Sequence, residues 1–125
     1  MKTDKQLTKA ETQVMNILWS LPGEQGYAVD IMACYEEPKP AMTTLLTFLK
    51  ILKDKGFVQS VKIGKSQLFS PLVSKREYTS RFLRDVKNTF FGGSFTSLVS
   101  FFAQEEHISE EEMQEIMQMM KRKEI

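Results

Sequence analysis

Between Lys39 and Lys65 the chain reads KPAMTTLLTFLKILKDKGFVQSVKIGK, and this stretch limits the possible folds most. Leu45, Phe48, Leu49 and Leu52 recur at i, i+3, i+4 and i+7. The spacing predicts a helix over about 41–55 with one core-facing stripe. Gly56 supplies the left-handed cap that ends it. FVQSVKIGKSQLFSP then reads as a hairpin turning at Ile63-Gly64-Lys65-Ser66, with Val61 and Ile63 alternating with polar residues. The stretch holds six lysines against one acid, Asp54, a net charge of +5.

The outward side of this helix presents Thr43, Thr47, Lys50 and Asp54, with Leu46 beside them. Thr43, Thr44 and Thr47 are β-branched, a poor choice where a helix needs only stability. Their small size permits close approach to base edges. Each hydroxyl can bond a base or phosphate, and each methyl can touch a thymine methyl. Lys50, with Lys53 or Lys55, would reach phosphates, and Lys62 and Lys65 put two cations on the hairpin. The alternative is a solvated face that happens to carry threonines. The DNA reading makes the helix a recognition helix and the hairpin a wing. The expected fold is mainly α with one small β-hairpin: a winged helix-turn-helix domain over 1–73, then a three-helix dimerisation arm over 74–125.

The residues before Lys39 read as scaffold. Thr8-Lys9-Ala10-Glu11 is a capping box, and Ala10, Val14, Ile17, Leu18 and Leu21 form an apolar stripe ended by Pro22-Gly23. Trp19 is read as a packing residue beside that stripe. A second helix is expected over about 29–37, with Val29, Met32 and Ala33 on its buried side. Cys34 would then be a buried or half-buried inert thiol. Pro38 and Pro40 force an extended turn into the next helix.

After Pro71 three capped helices are expected, opened by Ser74, Ser94 and Ser109. Tyr78, Phe82, Val86 and Phe90 are spaced by four; Phe95, Leu98, Val99 and Phe102 share a face; Met113, Ile116, Met117 and Met120 line another. The last helix carries glutamates at its start and Lys121-Arg122-Lys123 at its end, matching the helix dipole. An arm of this size has too few elements to enclose so many apolar side chains. A second copy of the chain is the simplest cover, with two-fold symmetry. Folding back on the first domain, or a peptide or ligand groove along the methionines, are the alternatives.

Other chemistry finds no support. One histidine, His107, and one cysteine, Cys34, permit no metal site of standard Cys/His spacing, so no metal and no cofactor is expected. Gly92-Gly93 lacks the context of a phosphate loop. No nucleophile–base pair is suggested, and an enzyme is not expected. No apolar run reaches the roughly 20 residues that span a bilayer, and no secretion signal opens the chain. With a single cysteine, the expected compartment is the cytoplasm.

Three segments carry a resemblance. LTKAETQVMNILWSL, AMTTLLTFLKILKDKGFV and FGGSFTSLVSFFAQEE, in that order, resemble the penicillinase repressor family of bacterial transcriptional regulators, which holds repressors of β-lactamase and methicillin-resistance operons. The resemblance implies a homodimeric repressor binding inverted repeats in double-stranded promoter DNA. By position, Thr43, Thr44, Thr47 and Lys50 would lie in the major groove, with Lys62 and Lys65 on the wing. It also implies release when a membrane sensor protease cuts the dimerisation region, here at Ser100–Phe101. Two departures stand out. Ile51 occupies a position where many members have arginine, which removes one contact, and Ser100 replaces the asparagine of the antibiotic systems. The tail lacks the cysteines of copper-responsive relatives. A winged-helix module that binds protein instead of DNA is the competing function.

Overall fold

The computed structural model describes residues 6–122. In chain order the elements are α1 (Lys9–Ser20), a 3-10 turn (Pro22–Glu24), α2 (Ala28–Ala33), α3 (Met42–Asp54), β1 (Val58–Ile63), β2 (Ser66–Pro71), α4 (Lys75–Phe90), α5 (Phe95–Glu105) and α6 (Glu110–Arg122). The chain divides into two compact units, one ending at Phe82 and one beginning at Leu83. The division falls within α4.

In the first unit, α1 and α2 pack on α3, α3 packs on β1, and β2 closes on α1 and α2. Thr8 caps α1 as its spacing predicts. The Glu11 amide donates to Thr8 Oγ1 at 3.1 Å, and the Thr8 amide donates to Glu11 Oε1 at 3.1 Å. Val14, Met15 and Leu18 of α1, Ile31 and Tyr35 around α2, Leu45, Leu49 and Leu52 of α3, and Phe57, Val58, Phe69 and Val73 around the hairpin form the buried core. Trp19 packs against this core and donates its indole N–H to the Val73 carbonyl at 2.9 Å.

α3 ends as the glycine predicts. Gly56 has φ +85°. The Gly56 amide donates to the Lys53 carbonyl at 3.1 Å and the Phe57 amide to the Leu52 carbonyl at 2.9 Å, which satisfies carbonyls at the helix end and turns Phe57 into the core. β1 and β2 are antiparallel, pairing Val58 with Pro71 through to Ile63 with Ser66. The linker adds a bridge to this hairpin: Gly26 and Phe69 exchange backbone hydrogen bonds at 3.0 and 2.9 Å.

α2 departs from expectation. It is a six-residue helix ending at Ala33, and its buried residue is Ile31. Val29 and Ala33 are exposed and Met32 is half-buried. Cys34 caps the helix and is exposed rather than buried. Six residues make less than two turns, so the apolar periodicity had too short a run to fix the inward face.

The second unit contains the end of α4, with α5 and α6. Ser94 Oγ accepts from the Ser97 amide, and Ser109 Oγ accepts from the Glu112 amide, each at 3.1 Å. Ser74 Oγ accepts likewise from the Glu77 amide at 3.0 Å where α4 begins. All three serines thus cap as their spacing predicts. Lys123 lies outside the described residues.

Candidate nucleic-acid interface

α3 packs on the hairpin, and both expose lysines on the first unit. Thr43, Thr44, Thr47, Lys50 and Lys53 on α3, and Lys62 and Lys65 on the hairpin, are all exposed. Gly64 (φ +64°) makes the tight turn that puts Lys65 at the hairpin tip. The α3 face is held by local bonds. Thr47 Oγ1 donates to the Thr43 carbonyl at 3.0 Å. Lys50 Nζ lies 3.5 Å from Asp54 Oδ2 one turn on, both side chains well exposed, so water and salt weaken this pair.

Two features of this site were not evident from spacing. Lys53 Nζ donates to Ser60 Oγ at 2.9 Å, and Ser60 Oγ donates to Gln67 Oε1 at 2.6 Å. The chain of bonds runs from α3 across both strands and fixes the hairpin against the helix. Lys55 turns away from the cationic face. Its Nζ bonds Glu11 Oε1 of α1 at 2.6 Å, with the Glu11 side chain almost wholly buried. Burial alone would raise the Glu11 carboxyl. The hydrogen bond from Lys55, the Thr8 backbone bond and the nearby lysine charge outweigh it and hold the carboxyl below the usual glutamate range. Lys55 is therefore part of the scaffold, not a phosphate contact.

Beside this face lies an apolar recess of about 380 Å³ between the start of α2, the start of α3 and the hairpin. Val29, Met42, Leu46 and Phe69 line it, and Lys65 stands among its lining residues. Leu46 is 45% exposed and Val29 64%.

The second unit has no buried residue among those described. Phe90 is 75% exposed, and Phe95, Phe101, Phe102, Met117 and Met120 are exposed as well. Val86, Leu98, Val99, Met113 and Ile116 are half-buried. α5 and α6 enclose an apolar recess of about 800 Å³ lined by Phe95, Val99, Met113, Ile116, Met117 and Met120. Tyr78 and Phe82, on the first turns of α4, fall within the first unit. The Tyr78 ring packs edge-on to Phe57 at 5.6 Å and stacks on Phe82 at 6.2 Å, and its hydroxyl accepts from the Leu7 amide at 3.2 Å. Ser100 and Phe101 are exposed mid-helix in α5, with the Phe101 ring 5.5 Å from Phe91. Among the described residues no helix is long and apolar enough to cross a membrane.

The family model described as "Penicillinase repressor" matches residues 7–122, nearly the whole chain. The chain belongs to the penicillinase repressor family. Its relatives in that family include the methicillin resistance regulatory protein MecI of Staphylococcus aureus strain N315, 25% identical over 119 residues covering 94% of this chain and 95% of that protein. The penicillinase repressor of Bacillus licheniformis is 26% identical over 123 residues, covering 96% and 93%. Like other penicillinase repressor family members, the chain is a transcriptional repressor and not an enzyme. The winged helix with its helical C-terminal part agrees with that membership.

Proposed function

We propose that the chain is a cytoplasmic homodimer that represses an antibiotic-resistance operon by binding an inverted-repeat operator in duplex DNA. Residues 1–73 act as the DNA-binding part and 74–125 as the dimerisation arm. The observation that carries the reading is the exposed α3 face with a lysine-bearing hairpin tied to it. Thr43, Thr44, Thr47 and Lys50 enter the major groove. Lys53, Lys62 and Lys65 meet phosphates and fix the register. The relatives are named for methicillin resistance and penicillinase, which supports the choice of operon.

The apolar residues left exposed or half-exposed on α4, α5 and α6 support dimerisation, with Tyr78, Phe82, Val86, Phe90, Leu98, Val99, Phe102, Met113, Ile116, Met117 and Met120 as the contact set. A second copy buries them, and two linked half-sites bind far better than one. Release comes from a sensor protease that cuts Ser100–Phe101. That bond lies inside α5. The helix must unwind locally before the bond can enter a protease.

Hydroxyl-radical footprinting on the promoter of the chain's own gene tests this. Two protected sectors centred about 34 Å apart, or a multiple of it, are expected for two recognition helices related by a two-fold axis. A single sector would rule out the dimeric mode. Exposed Leu46 and Val29 favour a second reading, in which the same face docks a protein. That reading predicts no footprint at all.

A further inference from the structure

The exposed stripe of α3 has a chemistry that bears on how bases are told apart, given the operator binding proposed above. Thr43, Leu46, Thr47 and Lys50 stand at i, i+3, i+4 and i+7 and share one exposed face. No arginine, asparagine or glutamine stands on that face, and those side chains grip guanine or adenine edges with two bonds. The Thr47 hydroxyl hydrogen is engaged by the Thr43 carbonyl at 3.0 Å. Thr47 therefore offers the groove a methyl group and oxygen lone pairs, not a donor. Leu46 lies in the middle of the stripe, 45% exposed, and borders the apolar recess that Val29 and Met42 also line. Lys50, Lys53, Lys62 and Lys65 provide cations on the same helix-and-hairpin surface. An apolar centre on a cationic surface fits the one apolar group that a base pair presents in the major groove, the 5-methyl of thymine.

We infer that Leu46, flanked by the methyls of Thr43 and Thr47, reads thymine 5-methyl groups, so that recognition of each half-site depends on methyl-bearing pyrimidines at its centre. The inference rests on the operator reading and names the chemical feature that reading requires.

The test uses the full chain and the promoter duplex made twice, by amplification with dTTP or with dUTP, so that the bases differ only in the 5-methyl. Scrambled duplexes of both kinds serve as controls. The wild-type chain should lose about fourfold in affinity for each methyl it buries. The scrambled duplexes should bind equally weakly in both forms. Leu46→Ala should bind the thymine promoter more weakly and show a smaller thymine-to-uracil ratio. Thr47→Ser, which keeps the hydroxyl and removes the methyl, should shrink the ratio too. Equal wild-type affinity for both promoter duplexes, each well above scrambled, would overturn the methyl readout and leave operator binding standing. A Leu46→Ala chain that kept the full ratio would overturn the assignment to Leu46. If neither promoter duplex bound better than scrambled DNA, operator binding would fall and the inference with it.

Discussion

At the scale of single residues, the Glu11–Lys55 pair and the Lys53–Ser60–Gln67 chain decide how rigid the recognition surface is. Lys55→Met leaves a buried carboxylate without its cation, and a loss of about 3 kcal/mol in unfolding free energy is expected from denaturant titration. The pair also gives stability a pH dependence. Glu11 has its carboxyl pKa lowered in the folded chain. Its contribution is therefore fully present above the ordinary glutamate pKa of about 4.3, and is lost as pH falls through the lowered folded value. Glu11→Gln should flatten that acid limb and lower the stability seen at neutral pH, as followed by denaturation at a series of pH values. Ser60→Ala removes the middle of the hydrogen-bonded chain without changing charge. Promoter affinity should fall several-fold while the slope of log affinity against log salt stays at the wild-type value. Lys50→Ala and Lys62→Ala should instead reduce that slope, by roughly 0.9 for each phosphate contact removed.

At the scale of elements, local chemistry was readable where a signal lies within a few residues. The Thr8 capping box, the Gly56 helix end, the Gly64 turn and the three serine caps all formed as their spacing predicts. Gly56→Ala should destabilise the chain by about 1 kcal/mol in thermal unfolding, because the position needs φ +85°. What spacing did not show depends on distant partners. The Gly26–Phe69 bridge joins residues far apart in sequence, and Lys55 finds Glu11 at a separation of 44 residues. Lysine on a helix gives no local sign of whether it faces solvent or an acid on another helix. α2 failed for a different reason: its six residues are too few for periodicity to choose between Val29 and Ile31 as the inward residue. Along α3 the pattern was long enough. Leu45, Leu49 and Leu52 are buried and Phe48 half-buried, which leaves the threonines and lysines outside. The exposed stripe was thus legible in sequence, whereas the bonds that tie it to the hairpin required the fold.

At the scale of the whole molecule, the first unit carries the proposed DNA-binding face and the second an apolar surface. The first unit has a closed core of its own. The second leaves most of its large apolar side chains in contact with solvent, which supports the proposed dimer. Phe102→Asp or Met117→Asp should halve the mass seen in sedimentation equilibrium while the fold of the first unit persists, since both side chains are exposed within one chain. Two copies of this chain are expected to grip one operator through the α3 face. A fluorescence-anisotropy titration against the promoter of the chain's own gene, with a scrambled duplex of equal length and at two salt concentrations, tests it most directly. Tight, salt-sensitive binding to the promoter duplex at two chains per duplex is expected, with much weaker binding to the scrambled one. Equal weak binding to both duplexes, or saturation at one chain per duplex, would contradict it.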